Sequence, residues 1–520
     1  MPYNLNLILT PKQASDQSYY LPIAAKMLNV KESQVAFIRV LRRSIDARSR
    51  NIKVNMTVEV YVDENIPNLL DYHFDYQDVS SKDEVVIVGS GPAGLFAALR
   101  LIELGYKPIV LERGKDVSSR KRDVASINRN QPVNEDSNYS FGEGGAGTFS
   151  DGKLYTRSKK RGDYRKALEV LCFHGANKNI LYDAHPHLGT EVLPRIIAKI
   201  RQTIQESGGI ICFESRVVDL IIKNGAIKGV ITSQGDNIEG RAVILATGHS
   251  ARDIYKLLHS KDILLESKSF AMGVRVEHPQ LLIDSIQYHM PSRGEYLPAA
   301  SYSLVSQIQG RGVYSFCMCP GGFIVPAATA ADEIVVNGMS PSNRNSRYAN
   351  SGIVVEIRTE DLHNYGKYGV LAGLQFQIEL EKLAFAHGGG GVISPSQRLA
   401  DFVAGRQSAN LASTSYHPGI FTSPLHQWLP ASIGPRLREG FKSFDQKMRG
   451  FLTNEALILG VESRTSSPVR IPRDPISWQH PQVRGLFPAA EGAGYAGGII
   501  SAAIDGEKAA EKVVEWINGR

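Results

Sequence analysis

The N-terminal part of the chain alternates apolar and polar residues in the way that half-buried strands do. The run LNLIL near the start places leucine at every second position. Residues 19–30 look helical, and two further strands are predicted over 35–42 and 54–62. Because a polar linker occupies 77–84, we expect a small α+β domain over residues 1–76.

The pattern changes directly after this linker, where VVIVGSGPAGLFAALRLIELGYKPIVLERG occupies residues 85–114. Its β-branched start predicts a buried parallel strand, followed by a helix and a second strand. Gly89, Gly91 and Gly94 stand between strand and helix with GxGxxG spacing. In such a motif the first glycine permits a tight turn, the second lets backbone approach a pyrophosphate, and the third lets the helix pack on the strand. The order of elements predicts a dinucleotide site.

An acidic residue, Glu112, ends the second strand and follows Gly94 by eighteen residues. We expect its carboxylate to accept hydrogen bonds from an adenosine ribose, and its charge argues against a 2′-phosphate there. Pro92 and Ala93 in the first helical turn, and Arg113 after the strand, are further predicted dinucleotide contacts.

Two later segments bear on which dinucleotide binds. AVILATG is an apolar strand that ends in the small residues Ala246, Thr247 and Gly248. GLFPAAEGAGYAGGIISAAIDGEKAA, at 485–510, reads as a strand, an acid at Glu491, a glycine-rich turn and a helix of small residues. With these segments the sequence resembles the glutathione-reductase-like flavoproteins, which implies FAD as the cofactor.

The resemblance also implies roles for particular residues. In that superfamily the acid of the last motif binds ribitol or pyrophosphate, and the helix after it meets the flavin ring, where its dipole would stabilise negative charge. The residues at these positions are Glu491, Gly492, Ala496, Gly497, Gly498 and Ile499. Val218, in SRVVDLII, matches the position whose backbone contacts adenine.

The run FGEGGAGTFSDGKL, residues 141–154, holds five glycines in fourteen positions and predicts a loop that lets backbone approach a ligand. In related flavoproteins a glycine-rich segment after the first βαβ unit passes the pyrophosphate and the isoalloxazine. The residues implied are Gly144, Gly145, Ala146, Gly147, Thr148, Phe149, Ser150 and Asp151. Asp151 is a candidate general base, with a turn-capping role as the alternative.

Several longer stretches narrow the resemblance. NEDSNYSFGEGGAGTFSDGKLYTR, DAHPHLGTEVLPRI, FAMGVRVEHP, SFCMCPGG and ESRTSSPVRI are similar to a family of bacterial proteins described as uncharacterised NAD(FAD)-utilising or FAD-dependent dehydrogenases. The family name implies NAD(P)H as a transient electron partner. No second GxGxxG follows directly on a strand, so we expect no stably bound NAD(P) domain.

These segments give a domain layout for the whole chain. We expect an α/β fold with a Rossmann-like FAD-binding domain in two parts, 84–262 and 456–520. The β-rich segment between them, 263–455, is predicted to be an inserted, mixed and largely antiparallel substrate or cap domain. The small α+β domain over residues 1–76 precedes both.

Four further residues are candidates for chemistry. Cys317 and Cys319 alternate, so on a strand they share a face. We expect two buried cysteines near the ring, with redox-active thiols as the alternative. His187 is a candidate acid or base, or a structural residue at a helix entry. Arg464 would neutralise an anionic substrate or flavin, or else form a structural ion pair.

Composition restricts the partners. The 520-residue chain is 42% hydrophobic and has a net charge of +7, a mild excess that suits anionic small molecules or nucleic acid. Residues 1–80 hold nine basic and nine acidic residues, which disfavours nucleic acid. The absence of an 18-residue apolar run, of a signal-peptide pattern and of metal-type Cys/His spacing predicts a cytoplasmic protein with no membrane span and no bound metal.

The sequence therefore predicts an FAD-dependent oxidoreductase. We expect hydride transfer between an unidentified small-molecule substrate and flavin N5, in the cleft between the FAD domain and the inserted domain. One alternative is a flavin-dependent reductase of unsaturated C=C bonds, by fold analogy. The other is an RNA-associated flavoprotein whose N-terminal module binds nucleic acid.

Overall fold

The N-terminal unit is a small sheet with one helix on it. The structure, a computed structural model, describes residues 2–64, 73–155 and 162–519. The elements of the first unit are β1 (Tyr3–Leu9), α1 (Gln17–Leu28), β2 (Val35–Asp46) and β3 (Lys53–Val62). The strands pair antiparallel in the order β1–β3–β2. Alternate apolar residues of β1 and β3, such as Leu7 and Val58, bury one face together with Ala24 of α1.

Two boundaries of this unit differ from the sequence prediction. Helix α1 begins two residues earlier, because the Asp16 side chain accepts a hydrogen bond from the Ser18 amide and caps the helix. Strand β2 extends to Asp46, since it pairs with β3 along most of the hairpin. Tertiary pairing and capping set these ends more than local pattern does.

Three of the six basic residues of the β2–β3 hairpin pair with carboxylates. Arg39 faces Glu59 at 3.5 Å, and Arg48 faces Asp46 at 2.6 Å. Arg43 contacts the neighbouring part of the chain, where it pairs with Asp183 at 2.9 Å. These arginines therefore form structural ion pairs on the surface, and one of them ties the N-terminal unit to the rest of the molecule.

The next part of the chain builds a parallel sheet with helices. Its elements are β4 (Glu84–Val88), α2 (Pro92–Glu103), β5 (Lys107–Leu111), α3 (Val117–Asn128), α4 (Tyr164–Phe173), α5 (Leu193–Glu206), β6 (Ile210–Cys212), β7 (Val217–Lys223), β8 (Ala226–Thr232), β9 (Asn237–Glu239), β10 (Val243–Leu245) and α6 (Arg252–Ser260). Strands β7, β8 and β9 form a separate antiparallel sheet. This sheet stands between β6 and β10 in the sequence.

The segment that follows is dominated by strands. Its elements are β11 (Glu266–Ser267), β12 (Phe270–Pro279), α7 (Gln280–Tyr288), β13 (Val305–Ile308), β14 (Arg311–Cys319), β15 (Phe323–Pro326), β16 (Val336–Met339), β17 (Tyr348–Ile357), α8 (Ala372–Ala386), β18 (Ser394–Arg398), α9 (Leu399–Ala404), β19 (Ile420–Thr422), α10 (Leu425–Trp428), α11 (Gly434–Lys447), β20 (Leu457–Glu462) and β21 (Val469–Arg470). Seven of the strands form one sheet in the order β13–β14–β17–β12–β20–β18–β19. Within this sheet, β18 and β19 are the only described neighbours that pair in parallel.

The end of the chain returns to the parallel sheet. The last elements are β22 (Leu486–Pro488) and α12 (Ile499–Asn518). The parallel sheet has the order β22–β10–β4–β5–β6, so β22 joins strands that precede it by more than two hundred residues. Helix α12 lies so close against α2 that a Cβ on Gly506 would be 2.0 Å from the Ala93 carbonyl oxygen.

The parallel sheet is covered on both faces. Val85 and Ile87 of β4 pack into a core with α2, α5 and α12, whereas Val86 and Val88 pack into a second core on the opposite face. This explains the continuous apolar run of β4, which an antiparallel strand with one wet face would not show. The predicted α/β fold, with a parallel sheet beside a largely antiparallel one, is confirmed. The exact domain limits remain predictions.

No helix in the described ranges combines the length and the apolar character that a membrane span requires.

Candidate functional site

The glycines after β4 have three different environments. Gly89 has φ +105°, and a Cβ there would lie 2.5 Å from the Ala246 carbonyl oxygen. A Cβ on Gly94 would lie 1.9 Å from the Gly89 carbonyl oxygen. For Gly91 the nearest atom is the Gly145 Cα, 4.0 Å away. The outer two glycines thus shape the turn and the helix contact, while Gly91 leaves open space beside its backbone.

That open space belongs to a cavity of about 320 Å³ between the two large sheets. One wall comes from the carboxyl ends of β4, β5 and β10, from the loop that contains Ser150, and from the start of α12. The facing wall includes Phe316 of the seven-stranded sheet, and Asn337 and Gly338 of the separate two-stranded sheet formed by β15 and β16. The cavity therefore lies at the edge of a parallel sheet where ligands of α/β proteins commonly bind.

Two helices begin at this cavity without a side-chain cap. The N-cap residues are Gly91 for α2 and Gly498 for α12, and neither end has a capping side-chain hydrogen bond. The first amides of a helix lack partners within the helix, so they attract negatively charged groups. Gly248 on the same wall has no atom within 4 Å of where its Cβ would be. This donor set and these glycines fit the phosphates and close approach of a dinucleotide such as FAD.

Glu112 lines the cavity but is already heavily hydrogen-bonded. Its Oε2 accepts from the Ser90 amide at 3.0 Å and the Ser90 hydroxyl at 2.7 Å. Its Oε1 accepts from the amides of Gly114 and Gly142, both at 2.9 Å. Four bonds fill the lone-pair sites of a carboxylate. Glu112 thus joins the glycine turn to the next loop, and its predicted ribose contact remains a prediction.

Arg120 of α3 holds the glycine-rich loop in place. Its fully buried guanidinium donates to the backbone carbonyls of Asn138, Tyr139, Glu143 and other residues of this loop. Burial lowers the pKa of Arg120 to about 10, although nearby carboxylates oppose that effect. The loop carbonyls replace water around the charge, so the loop conformation depends on this one side chain.

Asp151 is part of a cluster of charges at the cavity. Arg344 contacts both carboxylate oxygens, with Nη2 2.8 Å from Oδ2 and Nε 3.3 Å from Oδ1. Lys153 Nζ lies 3.2 Å from Oδ2. Burial favours a higher pKa for Asp151, but the charges of Lys153 and Arg344 outweigh it and lower that pKa to about 2. Such a carboxylate is a weak proton acceptor near neutral pH.

The two neighbouring cysteines have different environments. Phe316 pairs with Gly352 and Cys319 with Asn350, so β14 carries one extra residue as a bulge, and Cys317 has φ +44°. Cys317 is exposed to the cavity and Cys319 is buried, and both are free thiols. The cavity is itself deep in the protein, and burial raises the pKa of Cys317 to about 11. This thiol is therefore largely protonated at neutral pH.

Arg464 reaches the cavity from a buried ion-pair network. It shares two carboxylates with Arg252, since both arginines contact Glu333 and Glu381. Arg464 Nη2 lies 2.9 Å from Glu381 Oε2, and Arg252 Nη2 lies 2.7 Å from Glu381 Oε1. Burial favours a higher pKa for Glu381, but the two guanidinium groups hold it well below its ordinary value. The structural ion pair, which was the alternative expectation for Arg464, is therefore present.

Several known families match parts of the chain. Residues 269–465 match the family described as FAD-dependent protein, C-terminal domain-like, and residues 84–126 match an FAD-binding domain. Residues 195–278 match glucose inhibited division protein A, and residues 1–61 match a domain of unknown function. Two of these descriptions name FAD, and the two matched segments include residues from both walls of the cavity.

A relative matches over almost the whole length. An uncharacterised protein from Clostridium beijerinckii is 41% identical over 511 residues, which is 94% of each chain. The chain belongs to that protein's family. With the matched domains, this is a family of FAD-dependent proteins. A tRNA uridine 5-carboxymethylaminomethyl modification enzyme from Alkaliphilus metalliredigens is 26% identical over 180 residues, 32% of this chain and 24% of that one.

Solved structures of low identity also align with this family member. Glycine oxidase from Bacillus cereus covers 84% of this chain and 95% of its own, with 12% identity and a TM-score of 0.32. A geranylgeranyl bacteriochlorophyll reductase-like protein from Thermoplasma acidophilum covers 84% and 79%, with 14% identity and a TM-score of 0.35.

Most of the residues expected to contact FAD lie together at the cavity. The predicted residues that line it are Gly89, Gly91, Pro92, Ala93, Glu112, Arg113, Gly145, Ala146, Gly147, Phe149, Ser150, Asp151, Ala246, Thr247, Gly248, Cys317, Arg464, Glu491, Gly498 and Ile499. Their binding roles remain predictions. Glu491 Oε1 lies 3.3 Å from His249 Nδ1, a neighbour that the sequence did not single out.

Other predicted residues lie away from the cavity surface. They are Gly94, Gly144, Thr148, His187, Val218, Cys319, Gly492, Ala496 and Gly497. Val217 lines the cavity, whereas Val218 is 40% exposed. The two differ because successive residues of a strand point to opposite faces. Cys319 matches the expected buried cysteine, whereas the bulge brings Cys317 to the cavity, so the expectation that both are buried is wrong.

His187 lies just behind the Asp151 cluster. Its Nε2 lies 3.0 Å from the Ser342 carbonyl oxygen, and its backbone bridges that of Lys153. Burial and the charge of Arg344 lower its pKa, which favours the neutral ring. These contacts suit the structural alternative better than an acid or base at the cavity.

Sequence reasoning also missed several residues that line the cavity. They include Lys153, Arg216, His249, Asp253, Phe316, Asn337, Gly338 and Thr465. Lys153 lies inside the glycine-rich run 141–154 and His249 directly follows Gly248, so weighing every residue of those segments would have found both. Asn337 and Gly338 carry no local signal. No group of His, Cys, Asp and Glu side chains suited to a metal ion occurs in the described part of the chain.

Proposed function

We propose that this protein is an FAD-dependent oxidoreductase that transfers hydride between a small-molecule substrate and flavin N5. One observation carries the proposal: a single cavity combines the open glycine turn around Gly91 with a wall of the antiparallel sheet around Cys317. A ligand held by the turn would therefore share a partly enclosed space with a second, smaller ligand.

The residues of the chain would bind and orient the cofactor. The uncapped amides at Gly91 and Gly498 would hold negatively charged parts of FAD. Arg120 and Glu112 fix the loops between these points, so the site is formed before a ligand binds. When bound, FAD would supply two-electron redox chemistry. Buried apolar residues such as Phe149 and Val325 would exclude water from the reacting region.

The direct test is spectroscopic. The purified protein is expected to carry flavin absorbance or to gain it when incubated with FAD. A protein that remains colourless after reconstitution would contradict the proposal. The flavin content of the Gly91→Ala variant, whose added methyl group would enter the open space, provides a comparison within the same chain.

We propose NAD(P)H as a transient electron partner. The family name implied by the sequence resemblance supports this. Anaerobic addition of NADH or NADPH to the flavin-loaded protein should bleach the flavin band with one of the two nucleotides. Unchanged spectra with both would exclude this partner.

We propose a small molecule rather than RNA as the substrate. Three of the five arginines of the N-terminal hairpin are engaged, since Arg39, Arg43 and Arg48 each face a carboxylate. The likeness to a tRNA-modifying enzyme spans only 32% of this chain. Binding of the full-length protein to tRNA, measured at 50 mM and 200 mM salt, should be weak at both. A tight, strongly salt-dependent complex would contradict this assignment.

A further inference from the structure

Lys153 brings a positive charge to the wall of the cavity. It lines the cavity, and its side chain is 37% exposed. Its ammonium group lies 3.2 Å from Asp151 Oδ2 and donates to Cys319 Sγ at 3.5 Å. The group is thus held by the protein on one side while part of its surface faces the cavity.

The charges around Lys153 do not balance. Asp151 is shared between two cations, and Arg344 already occupies both of its oxygens. Burial raises the pKa of Cys317 to about 11 and lowers that of His187, so neither of these two groups adds a charge near neutral pH. With Cys319 as a neutral thiol that accepts a hydrogen bond from Lys153, the formal charges of Asp151, Lys153 and Arg344 sum to one positive charge at this wall.

The same cavity also has an apolar wall. Tyr139, Phe149, Val325 and Ala327 belong to one buried hydrophobic cluster and line the cavity together with Lys153. Phe149 and Lys153 also belong to the same loop. An unbalanced charge in such a setting favours an anionic partner that can replace lost hydration.

We propose that the substrate is a monocarboxylate with an apolar body, held by an ion pair between its carboxylate and Lys153. The single surplus charge matches one carboxylate better than a doubly charged phosphate. The apolar cluster would contact the rest of the molecule. This inference rests on the proposed function, and it names the substrate class of the same cavity.

The test uses the oxidised, flavin-loaded protein. Acetate, butyrate, benzoate and 3-phenylpropionate are titrated, each beside its own amide, and binding is followed by the change in flavin absorbance. We expect the acids with larger apolar groups to bind at least tenfold more tightly than their amides. If no acid in the series binds more tightly than its amide, the inference is wrong.

Variants identify the residue responsible. Lys153→Met should abolish the preference for acid over amide, and Lys153→Arg should keep most of it. Lys442→Met is the matched control, because Lys442 is about half exposed and pairs with Glu439 on the surface. A preference that persists in Lys153→Met would overturn the assignment of Lys153.

The same titration separates two failures. A protein without bound flavin contradicts the proposed function, and acid binding to it is then measured by calorimetry. A flavin-loaded protein without acid preference contradicts only this inference. If Lys153→Met weakens retention of reduced flavin but leaves acid binding unchanged, Lys153 serves the flavin anion, which also overturns the inference.

Discussion

At the scale of single residues, the glycines after β4 offer a sharp comparison. A methyl group on Gly94 would lie 1.9 Å from the Gly89 carbonyl oxygen, so helix α2 would have to move from β4. A methyl group on Gly91 would enter the cavity instead, with its nearest neighbour 4.0 Å away. We expect Gly94→Ala to lower the free energy of unfolding by about 1–3 kcal/mol. Gly91→Ala should change it by less than about 1 kcal/mol but should reduce flavin occupancy.

Urea unfolding of the flavin-free proteins and the ratio of flavin to protein measure these two effects separately. Equal losses of stability and of flavin in both variants would contradict the division of roles between Gly91 and Gly94.

Residue positions were predictable where a motif encodes a backbone geometry. The spacing of Gly89, Gly91 and Gly94 is such a case, because backbone contacts exclude a Cβ at Gly89 and Gly94, whereas Gly91 leaves open space at the cavity. Val218 shows the limit of this reasoning. Its strand was located correctly and the neighbouring Val217 lines the cavity, while the expected backbone contact of Val218 with adenine remains a prediction.

At the scale of elements, strand alternation failed at a bulge. Cys317 and Cys319 would share a face on a regular strand, but β14 gains a residue relative to β17 between Phe316 and Cys319. A bulge depends on how the partner strand pairs, so the sequence of β14 alone does not predict it. The strand was therefore predictable, but which of its two cysteines reaches the cavity was not.

Helix α12 carries a buried carboxylate that makes stability depend on pH. Glu507 packs near Glu103 and Lys166, with Lys166 Nζ 3.8 Å away. Burial raises the pKa of Glu507 to about 7, although Lys166 opposes this. The folded state therefore retains a proton that the unfolded chain loses, and stability should fall as pH rises from about 4.5 to 7.

We expect Glu507→Gln to be more stable than the wild type at pH 8, by up to about 3 kcal/mol. The difference should vanish below about pH 3.5, where both the folded and the unfolded wild type hold the proton. Urea unfolding at a series of pH values tests this. Glu515→Gln on the exposed side of the same helix is the control, and it should show little pH dependence. A pH-independent difference for Glu507→Gln would show that its packing matters more than its charge.

At the scale of the whole molecule, the cavity forms where distant parts of the chain meet. The wall with Gly91 and Gly498 was predictable, because both belong to motifs with a known relation to one cofactor. The wall with Asn337 and Gly338 was not, because these residues lie in β16, whose pairing with β15 places them beside Phe316 of the seven-stranded sheet. Long-range strand pairing leaves little local signal in the residues it brings together.

A buried ion-pair network joins these parts of the molecule. Glu381 of α8 contacts Arg252 of α6 and Arg464, which follows β20. Removing its charge would leave two arginines facing Glu333 alone, and an uncompensated buried charge costs about 3–5 kcal/mol. We therefore expect Glu381→Gln to lower the free energy of unfolding by that amount and to weaken flavin binding, since Arg464 lines the cavity.

The adjacent residue supplies the control for this prediction. Lys382 pairs with Asp332, but both side chains are more than half exposed, so Lys382→Gln should change stability by less than about 1 kcal/mol. Denaturant unfolding measures the stability of both variants, and flavin titration measures their flavin binding. If the two substitutions have equal effects, the network adds nothing beyond a surface pair. A loss confined to Glu381→Gln would mean that the antiparallel sheet and α6 depend on each other through buried charge, and that the cavity between them depends on the same contact.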